Sequence, residues 1–179
     1  MNHHDMTRNM VLAALFAALT AIGAFLQIPT GTVPITLQFL FTALAGLLLG
    51  WKWGAVSQLL YVGIGLLGLP VFTQGGGIGY VLQPSFGFLL GLIPAAAVIG
   101  ALTARRTGYL TVLAAVLVGD LILYAVGVPY MYLILHVYMQ SAKTFPALLA
   151  AMLVYVPGDT LKIVVVTALV PVLRRTLAK

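Results

Sequence analysis

The chain has no cysteine, only three acidic residues, and charged side chains at just 7% of its 179 positions. Without cysteine there are no disulfides, no thiolate chemistry and no trace of the redox compartment. So few charges exclude a soluble globular domain, whose residues are about 25% charged. Histidine is nearly as scarce. His3 and His4 lie at the N-terminus and His136 stands alone, so no H-E-x-x-H pattern or ligand cluster offers a metal site. Ser57, Ser85 and Ser141 lack a general base at matching depth, which argues against an intramembrane serine protease. The run Gly75-Gly76-Gly77 is not followed by Gly-Lys-Ser/Thr, so it is not a phosphate-binding loop. Neither an enzyme nor a cofactor is expected, and any ATP-driven step belongs to another subunit.

What fills the chain instead is apolar: 62% of it is hydrophobic and the mean hydropathy is +1.12. It reads as an all-α integral membrane protein, a single domain over residues 1–179 with no hydrophilic linker. Six apolar segments approach the roughly 20 residues a span requires. They cover about Arg8 to Leu26, Ile35 to Leu49, Gly54 to Leu69, Phe86 to Ala104, Tyr109 to Val126, and Phe145 to Leu173. The second and third are short, as tilted or partly re-entrant segments are. The first is too long for a secretory h-region and is followed by further spans, so it is expected to stay in the protein.

A net charge of +6 does not signal nucleic acid, because the basic residues punctuate the apolar segments. With the N-terminus in the cytoplasm, Arg8, Lys52, Arg105, Arg106, Arg174, Arg175 and Lys179 all fall inside, and only Lys143 falls outside. That asymmetry sets both termini in the cytoplasm. The outer connections are the stretch from Pro29 to Pro34, the glycine-rich stretch from Pro70 to Ser85, and Val128 to Thr144. The last holds an aromatic run, Tyr130 to Leu135, that suits a short helix lying over the outer face.

Against this background Pro157-Gly158-Asp159-Thr160-Leu161-Lys162 stands out, an acid and a base one turn apart within the sixth apolar segment. A charge at the bilayer centre costs roughly 2.5–3.5 kcal/mol on insertion scales. Counted back from Arg174 at 1.5 Å per residue, Asp159 and Lys162 stand about 22 and 18 Å above the cytoplasmic boundary, in the outer half of the membrane. Asp120, counted from Arg106, reaches about 21 Å. Pro157 and Gly158 predict a kink just above the pair.

Two readings are open. The charges form an ion pair that locks helices, Asp120 or Asp159 neutralising Lys162, or they line a site. Hydrophobic packing would lock helices at lower cost. A site with a cation, an anion and the amides of Gln38, Gln74 and Gln83 suits a small ligand with a carboxylate at one end and N–H donors at the other. Tyr80, Phe72 and Phe86 would enclose its apolar middle. In the first helix, Ala13, Ala17 and Ala21, or Ala14 and Ala18, form small-residue stripes that serve as an internal seam or as a docking face for a membrane partner.

Several motifs taken in order resemble one family. Val33-Pro34-Ile35-Thr36-Leu37-Gln38, Leu44-Ala45-Gly46-Leu47-Leu48-Leu49-Gly50, Leu66-Leu67-Gly68-Leu69-Pro70-Val71-Phe72, Gly127-Val128-Pro129-Tyr130 and Pro157-Gly158-Asp159-x-x-Lys162 are similar to BioY proteins, the biotin-specific subunits of energy-coupling-factor (ECF) vitamin transporters. The resemblance spans nearly the whole chain. It implies a six-helix S-component fold in a prokaryotic cell membrane, capturing biotin from outside, with a transmembrane coupling subunit and two ATPases as partners. It also implies that Asp159 and Lys162 bind biotin, and that Ala14 and Ala18, or the neighbouring Ala13 and Ala17, meet the coupling subunit. Two places depart from the family pattern. Gln83-Pro84-Ser85-Phe86-Gly87-Phe88 stands where relatives often have Gly-Pro-Thr-Gly-Gly-Tyr, and Asp120 has no place in that pattern. Competing expectations are a small channel or uncoupled facilitator, which would repeat polar residues through the full depth, and a purely structural membrane partner.

Overall fold

A computed structural model describes residues 3–30, 33–105 and 108–177, with side chains described from residue 5 to residue 170 apart from the same gaps. The calls on Arg106, Arg174, Arg175 and Lys179 as cytoplasmic anchors therefore lie outside the described side chains. Six α-helices dominate: α1 (His3–Phe25), α2 (Gln38–Leu66), α3 (Phe86–Leu102), α4 (Tyr109–Leu133), α5 (Phe145–Ala151) and α6 (Val156–Leu177). A minimal antiparallel hairpin, β1 (Gln27–Ile28) with β2 (Ile35–Thr36), joins α1 to α2, with Gln27 opposite Thr36 and Ile28 opposite Ile35.

α2 folds back on itself. Its helical geometry breaks at Gly50, where φ is +77°, a left-handed value that only glycine adopts without a steric penalty. The two arms, 38–49 and 51–66, then run antiparallel. Thr42 donates to Gln58 Oε1 at 2.9 Å, and Gln38 Nε2 donates to Tyr61 Oη at 2.8 Å. In a straight helix, residues 38 and 61 would be about 34 Å apart. The arms approach so closely that a Cβ on Gly54 would lie 2.9 Å from Gly46 Cα. The second and third expected spans are thus separate, as expected, but the turn between them is a single glycine and the third span begins at Trp51.

Six helical segments form the bundle among the described residues: α1, the two arms of α2, α3, α4, and the α5–α6 pair. Its core is small and tightly filled, with Ala43, Ala45, Ala95, Ala96 and Ile99 fully buried between α2 and α3. Large apolar residues such as Leu110, Leu121 and Leu161 point outward, as lipid-facing side chains do. Gly100 packs against the backbone of Trp51, which brings Lys52 and Arg105 to one end of the bundle. The hairpin, the glycine-rich stretch and Lys143 gather at the other.

Two boundaries differ from expectation. The fifth span does not stop at Val126. α4 runs through Pro129 to Leu133 and continues as one turn of π-helix, Ile134–Tyr138, so the aromatic run extends this helix instead of lying across the outer face. Gly-Val-Pro reads as a break in water, but hydrocarbon offers no other partner for the freed backbone groups, and the helix persists. Val128 and Met131 are buried there against Leu148 and Met152. The last apolar segment is not continuous: α5, a 3-10 turn (Met152–Val154) and α6 are bent by 53°. The bend falls at Tyr155, just before Pro157, whose ring fits the first turn of a helix and opposes any turn preceding it.

Candidate ligand-binding site

α6 begins where the buried charges lie. Three positions apart, Asp159 and Lys162 share a helix face, and both are buried, at 7% and 8% exposure. Lys162 Nζ lies 2.5 Å from Asp159 Oδ1 and donates to the Thr36 carbonyl at 3.2 Å. The other carboxylate oxygen, Oδ2, accepts from Tyr124 Oη of α4. Asp159 also sits in the first turn of its helix, where the unpaired N–H groups favour a negative charge. The pair is therefore compensated from three elements: the hairpin, α4 and α6 itself.

From Thr36 a hydrogen-bond chain continues along the wall. The Thr36 hydroxyl donates to Gln38 Oε1 at 2.9 Å, Gln38 Nε2 to Tyr61 Oη, and Tyr61 to the Val71 carbonyl at 3.1 Å. A second polar group comes from the glycine-rich stretch, where the Tyr80 hydroxyl lies 2.8 Å from Thr73 Oγ1 and 3.3 Å from Ser85 Oγ. Asp159, Lys162, Thr36, Gln38, Tyr80 and Tyr124 all line one cavity of about 70 Å³, whose remaining wall is mainly apolar, including Phe39, Phe88, Leu92 and Leu123. Such a wall, charged on one part, hydroxyl-rich on another and apolar between, fits a small amphipathic ligand with polar groups at separate positions.

The expected site residues divide. Asp159, Lys162, Gln38 and Tyr80 meet in this wall, whereas Gln74 is exposed and Gln83 half-buried, and neither lines it. Phe72 and Phe86 stand behind Tyr80, with ring centres 4.6 and 6.4 Å away, and support it instead of facing the cavity. Asp120 is not the partner of Lys162, whose ion pair is with Asp159. It sits one turn before Tyr124 on α4, within electrostatic range of both charges, and its buried Oδ1 has no hydrogen bond. Thr36, Tyr124 and Tyr155 were not anticipated. The i, i+4 spacing from Asp120 to Tyr124 is the one signal that could have found the tyrosine. On α1, Ala13 and Ala17 are buried while Ala14 and Ala18 are exposed, so the two stripes have different neighbours.

Residues 1–179 match the model of the BioY family. The chain belongs to the BioY family. It is 54% identical over 141 residues to a probable biotin transporter BioY of Lysinibacillus sphaericus, covering 78% of this chain and 72% of that protein. It is also 36% identical over 159 residues to the biotin transporter BioY of Thermotoga maritima, covering 88% and 90%. The fold agrees with the crystal structure of the S-component for biotin from an ECF-type ABC transporter, at a TM-score of 0.86 and 29% identity, over 98% of this chain and 95% of that one. Asp159 and Lys162 are thus the compensated charges of a BioY-family bundle.

Proposed function

We propose that this chain is a multi-pass subunit of a prokaryotic cytoplasmic membrane that captures biotin from the outside and passes it inward with an ECF coupling subunit and two ATPases. The observation that carries the reading is the buried Asp159–Lys162 pair in a cavity wall that also presents amide and hydroxyl groups, in a chain of this family. Biotin has a carboxylate at one end and two ureido N–H groups at the other. The two charges stand 2.5 Å apart, so both meet one polar end of biotin, Lys162 as the donor and Asp159 as the acceptor, while the amide of Gln38 and the hydroxyl of Tyr80 on the same wall meet the other.

Orientation supports capture from outside. Lys52 and Arg105 mark one end of the bundle, the cytoplasmic one by the positive-inside rule, and the cavity wall draws on the hairpin and the glycine-rich stretch of the other end, through Thr36, Thr73 and Tyr80. The exposed face of α1 bearing Ala14 and Ala18 is the one available to a coupling subunit. The channel reading receives no support from the core, which Ala43, Leu47, Ala96 and Ile99 fill on the cytoplasmic side of the site.

Binding of labelled biotin to the purified chain tests the reading. Lys162→Ala and Asp159→Asn should each weaken binding by about a hundredfold or more, the usual weight of stranding one partner of a buried pair. Unchanged affinity in both variants would refute the site, and no binding by the unaltered protein would refute the ligand.

A further inference from the structure

A second cavity, about 290 Å³, lies at the end of the bundle opposite Lys52. Lys143 and Thr30 stand on its wall, with Ala147 and Ala151 of α5. Two residues, Met152 and Tyr155, line this cavity and the Asp159–Lys162 cavity alike. The partition between the two is therefore a flexible thioether chain and one phenol. Tyr155 is pinned by its hydroxyl, which donates to the Val33 carbonyl and lies 2.9 Å from Thr30 Oγ1. It also occupies the bend between the 3-10 turn and α6.

Charge distinguishes this outer cavity from the rest of its surface. The three acids of the chain are Asp5, Asp120 and Asp159, and none belongs to a connection at this end. Lys143 is the sole formally charged side chain there, it is exposed, and no carboxylate pairs with it among the described residues. A lone ammonium on an otherwise neutral, partly apolar cavity attracts a small monocarboxylate with an apolar body. The same chemistry is compensated one partition deeper by Lys162.

We infer that the outer cavity is a capture site, in which Lys143 holds the ligand's carboxylate before the ligand passes Tyr155 and Met152 to Lys162. The inference rests on the function proposed above. Lys143 contacts the ligand only on the way in and out, so it governs rates and leaves the final complex unchanged.

Association and dissociation rates of biotin and of its neutral methyl ester, measured on the full-length protein in lipid nanodiscs at low and high salt, test this. Lys143→Gln should slow both rates for biotin at low salt, on the order of threefold, the weight of one unit charge acting across about 6 Å of water. Equilibrium affinity should stay within about twofold, and the effect should vanish at high salt and for the ester. Lys52→Gln, at the opposite end, should change neither rate. Ala151→Trp, which fills the cavity, should slow entry of acid and ester alike. Unaltered rates in Lys143→Gln would make Lys143 an interfacial anchor and overturn the inference. A weakened equilibrium affinity with normal association would instead put Lys143 in the final complex and equally overturn it. Absence of biotin binding by the unaltered protein would refute the proposed ligand, whereas normal binding with insensitive rates refutes the capture site alone.

Discussion

Asp159 and Lys162 stabilise each other, and the same contact makes each dependent on its partner. Removing one leaves a buried, uncompensated charge, typically a loss of 3–5 kcal/mol, while replacing both with neutral groups of similar shape is often close to neutral. Asp159→Asn and Lys162→Met should therefore each lower the melting temperature of the purified protein. The double variant should recover most of that stability yet bind no biotin. A pair that only locked helices would lose nothing further once stability returned, so recovered stability with retained binding would reject the ligand role. Tyr124→Phe removes the donor to Asp159 Oδ2 while keeping the ring packed at right angles to Phe88. A hydrogen bond to a charged group contributes about 1.5–3 kcal/mol, and thermal unfolding should show a loss of that order. The pair was legible in the sequence because charge is conspicuous in an apolar run. Tyr124 was not, since an aromatic residue in a membrane helix looks the same whether its hydroxyl serves a carboxylate or a lipid headgroup.

Between elements, the interior relies on small residues where helices touch and on polar clasps between them. Gly46 faces the backbone of Ala96, and a Cβ there would overlap the carbonyl; Gly50 has open space but a positive φ. Gly50→Ala should cost on the order of 1–3 kcal/mol, because φ +77° with ψ 179° is a backbone region essentially reserved for glycine. Gly46→Val should prevent close packing and give a markedly lower yield of folded protein by gel filtration. Gln58 is fully buried between Thr42, Ser57 and Thr20, joining both arms of α2 to α1. Each of those hydroxyls also reaches a carbonyl of its own helix: Phe16, Gln38 or Gly54. Gln58→Leu therefore leaves no hydroxyl stranded, and its cost should stay at roughly 1–2 kcal/mol, from about 0.6 kcal/mol for each hydrogen bond lost within a membrane bundle. The two arms were legible because Lys52 separates their apolar runs. The length of α4 was not, because Gly127 and Pro129 end helices in water and only the absence of competing partners keeps this one intact.

Across the whole molecule, ligand capture and partner docking occupy different surfaces, and α1 contains both an inner and an outer stripe. Ala13 and Ala17 are 2% and 4% exposed, whereas Ala14 and Ala18 face outward. Sequence spacing alone could not choose between the stripes, because a helix of alternating small residues presents them on adjacent faces, and only packing against α2 assigns one to the core. The assignment separates two kinds of failure. Ala13→Leu or Ala17→Leu overfills a packed seam, which usually costs 1–3 kcal/mol, and should reduce stability whether or not a partner is present. Ala14→Leu with Ala18→Leu adds bulk only on the outer face, where close helix approach needs small residues. That double variant should keep its melting temperature and bind biotin with an affinity within about twofold of the unaltered chain. It should nevertheless fail to co-purify with a co-expressed coupling subunit and its ATPases, and cells depending on it should lose biotin uptake. Retained co-purification would move the docking surface elsewhere on the exposed bundle. Loss of biotin binding in the same variant would mean that α1 also holds the site, a link that the separation between the outer stripe and the Asp159–Lys162 cavity does not predict.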